Sequence, residues 1–84
     1  MNSTELTDRL GEARVPADAY SIGVDRDEAY CLLRQGDWWS VYFSERGARM
    51  SEFRHLTEAE ACDDLLGRLM RDHVVRRRML EAPE

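Results

Sequence analysis

The C-terminal third of the chain contains the pattern that most restricts the fold. Residues 57–60 read Thr-Glu-Ala-Glu and predict a capping box, in which Thr57 bonds forward and Glu60 reaches back. Acidic side chains lead the segment and arginines follow, as the helix dipole favours. The sequence predicts one long helix that begins at Glu58 and ends near Arg78. Its apolar face, at the i, i+3, i+4, i+7 spacing of an amphipathic helix, consists of Cys62, Leu65, Leu66, Leu69, Met70, His73 and Val74.

Two segments before this helix alternate as β-strands do. Ala29–Gln35 and residues 38–44 are joined by Gly36 and Asp37, which predict a tight hairpin turn. Successive side chains of a strand point to opposite faces, so the second strand has two distinct sides. We expect its more apolar side to face the core. That side carries Trp39, Val41 and Phe43, and the other carries Trp38, Ser40, Tyr42 and Ser44.

The remaining segments give weaker patterns. Residues 3–13 have apolar side chains at helical spacing, and Pro16 ends that helix. Residues 20–23 suggest a brief strand. Residues 45–47 fit a hairpin loop that leads into a further strand over 48–53, although the alternation of this last strand is poor.

These elements predict the α+β class. The expected architecture is a short N-terminal helix, a three- to four-stranded antiparallel meander and a long C-terminal helix packed on the sheet. We expect a single domain over residues 1–84, with residues 1–2 and 80–84 frayed at its ends.

Composition excludes several classes of function. The chain has 84 residues and a formal net charge of −5, which argues against non-specific binding to nucleic acid. All of its basic residues are arginine, so neither Schiff-base chemistry nor a phosphate-binding P-loop is expected. With no apolar run long enough for a membrane span and two cysteines that read as reduced thiols, we predict a cytoplasmic protein without membrane contact.

Metal binding is not predicted. The four candidate ligands, Cys31, His55, Cys62 and His73, have none of the paired spacings by which small folds hold zinc. Cys31 and Cys62 are expected to be buried thiols that pack near each other. His73 is expected at the edge of the core and His55 is expected to be exposed.

Catalysis is not predicted either. Neither cysteine begins a helix or has neighbouring cations that would lower its pKa. The acidic residues lie in turns and at a helix start, where solvation or capping explains them. We therefore expect no catalytic residue, no cofactor and no enzymatic activity. The run Arg76, Arg77 and Arg78 is interpreted as a helix end balanced by nearby acids, with phosphate contact as the less favoured alternative.

Adjacent Trp38 and Trp39 must point to opposite faces of their strand. With Trp39 in the core, Trp38 shares the other face with Tyr42, and Tyr30 and Arg34 are expected nearby on the neighbouring strand. Tryptophan, tyrosine and arginine are enriched at interface hot spots. This face is interpreted equally well as a partner-binding surface or as a second core under another helix.

Residues 39–47, Trp-Ser-Val-Tyr-Phe-Ser-Glu-Arg-Gly, and residues 61–66, Ala-Cys-Asp-Asp-Leu-Leu, carry a resemblance to a known group of proteins. The chain resembles the small immunity proteins encoded beside bacterial polymorphic toxins. The resemblance extends over residues 20–69 and connects the chain with toxins that hydrolyse nicotinamide dinucleotide. It implies a protein that binds its cognate toxin and occludes the active site.

The residues and the resemblance together give a predicted partner-binding set. Two alternatives remain: a regulatory module that self-associates through the Trp38 face, and a nucleic-acid binder that uses the arginine run. The predicted set consists of Trp38, Tyr42, Glu45, Arg46, Arg34 and Tyr30.

Overall fold

A computed structural model describes residues 1–81 and confirms the α+β class with a short N-terminal helix. No helix within these residues is long and apolar enough to cross a membrane. Asn2 caps the first helix, and residues 80 and 81 belong to the last one. Residues 82–84, the rest of the segment predicted to fray at the C-terminus, lie outside the described residues. The elements are α1 (Ser3–Glu12), a 3₁₀ helix (Ala17–Ala19), β1 (Tyr20–Ile22), β2 (Ala29–Gln35), β3 (Trp38–Glu45), β4 (Ala48–His55), α2 (Glu58–Arg71) and α3 (His73–Glu81).

The sheet has the order β1-β2-β3-β4 and is mixed, which corrects the predicted antiparallel meander. β1 is parallel to β2, with Tyr20 opposite Tyr30. A parallel neighbour normally needs a long crossover because the chain must return along the whole strand. β1 has only three residues, so residues 23–28 are enough to bring the chain back, and Gly23 (φ +97°) begins that reversal.

The predicted long C-terminal helix is broken into two at Asp72. The backbone of Asp72 is extended, and its side chain accepts hydrogen bonds from the N–H groups of Val74 and Val75, at 2.9 and 3.0 Å. An aspartate that bonds in this way caps a new helix and does not continue the old one. The break changes which side chains face the core: Val75 is buried, whereas His73 and Val74, both predicted on the apolar face, are exposed.

The main core lies between the helices and one face of the sheet. Val41 is fully buried there and Trp39 packs against the cluster, which confirms the predicted apolar side of β3. Cys31 and Cys62 are both buried, but Cys62 belongs to this core whereas Cys31 points to the other face of the sheet. Their predicted proximity is therefore wrong. The core consists chiefly of Leu6, Leu10, Leu32, Val41, Ala61, Cys62, Leu65 and Leu69.

A β-bulge explains the poor alternation of β4. The register with β3 shifts by one residue between Val41, which lies opposite Phe53, and Phe43, which lies opposite Met50. Ser51, inside this interval, has a left-handed backbone with φ +55°. One extra residue exchanges the two faces of a strand beyond it. The bulge thus keeps both Met50 and Phe53 on the helix-covered side.

Candidate functional site

The predicted partner-binding residues do not form one patch. Trp38 begins β3 and Glu45 ends it, so the two are roughly 23 Å apart at the usual rise of a strand. Arg34 lies near the Trp38 end. Arg46 lies beyond the Glu45 end, in the turn to β4, where its backbone N–H donates to Asp27 at 2.7 Å. A single partner contact that includes all of them would have to run the length of the strand.

Tyr42 is fully buried, which removes it from the set of surface residues. Its hydroxyl donates to the Asp25 carboxylate, and Ser44 donates to the same carboxylate at 3.3 Å. The guanidinium of Arg49 lies 4.3 Å from the centre of the Tyr42 ring. Burial and the bond to Asp25 raise the pKa of Tyr42 well above its usual value. Its role in the structure is to hold a loop and an arginine over the sheet.

The rest of this face is covered by polar side chains from the strands themselves. Ser40 donates to Glu52, and Arg49 donates to both Glu52 (2.8 Å) and Gln35 (2.6 Å). The hydrogen bonds from Ser40 and Arg49 hold the pKa of Glu52 below its usual value. Among the described residues, no buried side-chain nitrogen or oxygen lacks a partner. We call this the open face, because side chains and a loop cover it in place of a helix.

Trp38 is the part of the predicted set that stays accessible on the open face. It is 42% exposed, and the guanidinium of Arg54 lies 5.8 Å from its ring centre. Arg34 and Tyr30 were expected near it, but both lie on the helix-covered face, opposite Trp39 and Phe43. The expectation was wrong because paired residues share a face, and Trp38 pairs with Gln35.

Strand β4 presents a surface that the sequence did not predict. It is an edge strand, paired only with β3, and seven of its eight residues are exposed. Phe53 is 59% exposed, and Leu56, just after the strand, is 73% exposed. The missed signal was the broken alternation of residues 48–53, which marks a bulged edge. We define the β4 surface as the exposed side chains on both sides of this edge: Trp38 and Arg54 on the open face, Met50 and Phe53 on the helix-covered face, and Leu56 after the strand.

A groove runs between the sheet and the junction of α2 with α3. Tyr30, Phe43, Glu45 and Asp72 line both of its halves, each of about 380 Å³. We call it the Tyr30 groove. Two members of the predicted set, Tyr30 and Glu45, therefore do come together. The β2–β3 register places them on one face of the sheet, and Asp72 at the helix break completes the groove. The first half also contains Asp18, Glu28 and Arg78, and the second Met50, Arg68 and Arg71.

Tyr30 and Asp72 are joined at the centre of this groove. The Tyr30 hydroxyl donates to the Asp72 carboxylate at 2.6 Å. Burial and this bond raise the pKa of Tyr30 to about 12, so the phenol is neutral at ordinary pH. Burial opposes ionisation of Asp72, yet the bonds from Tyr30, Val75 and Val74 hold its pKa below the usual value. The pair ties the sheet to the helix break.

His55, Asp64 and Arg68 form the other close polar group. His55 Nε2 lies 2.7 Å from Asp64, and Arg68 donates to the same carboxylate at 2.9 Å. His55 was expected to be exposed but is half-buried. Although burial opposes it, the bonds from Arg68 and His55 lower the pKa of Asp64. His55 is the last residue of β4 and Asp64 lies in α2, so their contact fastens β4 to α2. Within residues 1–81, no hydroxyl or thiol is bonded to His55.

Two further predictions concern metals and the arginine run. Within residues 1–81, no three histidine, cysteine or acidic side chains are placed to hold a metal ion. Burial raises the pKa of both cysteine thiols. Of the arginine run, Arg78 donates to Asp18 at 2.8 Å, and Arg76 and Arg77 are exposed.

Comparison with protein-family models, with curated proteins and with solved structures finds no match to this chain.

Proposed function

We propose that this protein binds a cognate bacterial toxin one-to-one in the cytoplasm and neutralises it by occluding its active site. The observation that carries the proposal is the β4 surface. Three large apolar side chains, Met50, Phe53 and Leu56, lie exposed along one unpaired strand edge and its exit.

A small chain has little apolar surface to spare for any purpose but its core. Here the apolar side chains of α1 and α2 that face the sheet are fully buried, whereas those of β4 are not. Contiguous exposed apolar residues beside an unpaired edge mark protein-interaction surfaces. Trp38 and Arg54 add the residue types that are enriched at hot spots.

Neutralisation by occlusion requires no chemistry from the binder. It requires a pre-shaped surface, since ordering a flexible one would weaken binding. Hydrogen bonds between side chains of the open face hold β4 against β3, and the His55–Asp64 bond holds it against α2. The resemblance to immunity proteins supports a toxin as the partner, and its association with enzymes that hydrolyse nicotinamide dinucleotide supports that class of toxin.

The test is capture followed by protection. The tagged protein is recovered from its host, and the co-purifying protein is expressed in test bacteria with each variant. Wild type and Val24→Asp, an equally exposed site in the loop after β1, should both protect the cells. Phe53→Ser and Leu56→Asp should each weaken binding at least tenfold and abolish protection. Full protection by both β4 variants, or a captured protein that harms no cell, would contradict the proposal.

Self-association is a second candidate, because the edge of β4 could pair with that of a second copy. Sedimentation of the free protein distinguishes the two. A monomer leaves the β4 surface available to a toxin. A tight dimer that Leu56→Asp dissociates would assign the same surface to self-association.

A further inference from the structure

We infer that the Tyr30 groove is a binding site for an arginine side chain presented by the protein partner. The inference rests on the proposed function only in that the partner supplies this side chain. It is carried by three features of the groove: an aromatic floor, two unpaired carboxylates and continuity with the β4 surface.

The floor consists of Tyr30 and Phe43. Their ring centres are 4.9 Å apart and the two ring planes meet at 65°, an edge-to-face arrangement. Both residues are half-buried. The bond to Asp72 fixes the Tyr30 ring. A planar, weakly hydrated guanidinium stacks on aromatic rings more readily than a strongly hydrated ammonium does, so the floor favours arginine over lysine.

The charges of the first half of the groove favour a cation. Of its carboxylates, Asp18 is already paired with Arg78, and Asp72 accepts from Tyr30 and two backbone N–H groups. Glu28 and Glu45 form no hydrogen bond or ion pair with any residue in 1–81. Both line the same half of the groove as the aromatic floor. They are free to receive the donors of one guanidinium, to which carboxylates are geometrically suited.

The second half of the groove restricts where the cation sits and links it to the β4 surface. Arg68 and Arg71 line that half. Arg68 is paired with Asp64, so Arg71 is the charge that repels a positive group from this half, toward Glu28 and Glu45. Met50 lines the same half and belongs to the β4 surface. One partner can therefore cover the β4 surface and insert a side chain into the groove.

The test uses small probes and needs no toxin. N-acetyl-arginine methylamide is titrated into the isotope-labelled protein and followed by NMR, with the neutral N-acetyl-citrulline analogue as the probe control. Two double variants change the net charge equally. Glu28→Gln/Glu45→Gln removes the groove carboxylates, and Glu12→Gln/Asp63→Asn removes two exposed carboxylates elsewhere that have no partner within 1–81.

We expect saturable shifts at Tyr30, Phe43 and Glu45 with the arginine probe and none with citrulline. Affinity should fall about fivefold in the groove variant and change less than about twofold in the control variant. Equal shifts with both probes, shifts spread over all acidic surfaces, or equal loss in both variants would overturn the inference. If the arginine probe binds the groove but no toxin is captured, only the proposed function is refuted. If the protein protects cells from a toxin but does not bind the arginine probe, only this inference is refuted.

Discussion

The two faces of the sheet are buried by different means. On the helix-covered face, Leu32 and Val41 pack against apolar side chains of α1 and α2. On the open face, Tyr42 and Ser40 are buried just as fully, but beneath Asp25, Arg49 and Glu52. One face excludes water with a second layer of secondary structure, the other with a loop and a network of charged side chains.

This difference shows why a small domain can leave β4 exposed. The side chains of the open face already exclude water from it, so no helix covers that face. The helices pack on the other face of the sheet. α2 contacts β2 and β3 more extensively than the edge, so Met50 and Phe53 lie at the margin of the helix layer. Of the seven exposed large apolar side chains within residues 1–81, four lie at or beside this edge, where we propose that the partner binds: Trp38, Met50, Phe53 and Leu56.

The largest effect is expected from the helix-covered face. Leu65→Ala removes a fully buried side chain from the centre of the core and leaves a cavity. The free energy of unfolding should fall by about 2–5 kcal/mol, measured by urea denaturation. The matched control is Leu80→Ala, at an exposed position of α3, which should change little. A loss below about 1 kcal/mol for Leu65→Ala would show that the helices contribute less than the packing indicates.

A smaller effect is expected from the open face. Tyr42→Phe leaves the ring under Arg49 but deprives Asp25 of its hydroxyl donor, at a cost of about 1–2 kcal/mol. Asp25→Asn should cost a similar amount, and the double variant should cost less than the sum, because both changes break one network. If the two losses in the free energy of unfolding were strictly additive, Tyr42 and Asp25 would stabilise the protein independently and would not form a network.

The Tyr30–Asp72 bond gives the groove a defined pH dependence. The pKa of Tyr30 is raised from 10.0 to about 12 in the folded protein. The folded state therefore retains a proton that the unfolded chain loses, so this stabilisation is complete below pH 10 and disappears as pH rises toward 12. Urea midpoints of Tyr30→Phe should decline less steeply over that range than those of wild type. Parallel declines would mean that the bond does not control the ionisation of Tyr30.

The smallest effect is expected at the bulge. Ser51 has φ +55°, a conformation that glycine adopts without strain. Ser51→Gly should raise the free energy of unfolding by up to about 1 kcal/mol, read from thermal and urea denaturation. A loss of stability would contradict the assignment of a left-handed bulge at this position.

Local patterns predicted the elements whose signals lie within a few residues. The Gly36–Asp37 turn, the strand Ala29–Gln35 and the Thr57 cap are where the sequence indicated. The predicted return bond of the capping box differs, because the Glu60 carboxylate accepts from the Thr57 hydroxyl and not from its backbone. The apolar side of β3 was also predicted, because alternation depends only on neighbouring residues. The fold class followed from these elements.

The features that were missed depend on residues distant in the sequence. Asp72 breaks the helix while also accepting a bond from Tyr30, 42 positions earlier. Tyr42 is buried because Asp25 and Arg49 reach it from two separate segments. Of the candidate site, Tyr30 and Glu45 were predicted as contact residues, but the groove that they line is completed by Asp72 at the helix break, which was not predicted. Periodicity within one element cannot show such long-range partners.

Whether the β4 edge receives the partner is tested most directly by amide hydrogen exchange of the free and toxin-bound protein. If the partner binds at β4, we expect strong added protection across residues 50–56 and little change in β1, the opposite edge of the sheet. Protection confined to α1 or to α3, with β4 exchanging as in the free protein, would contradict binding at β4.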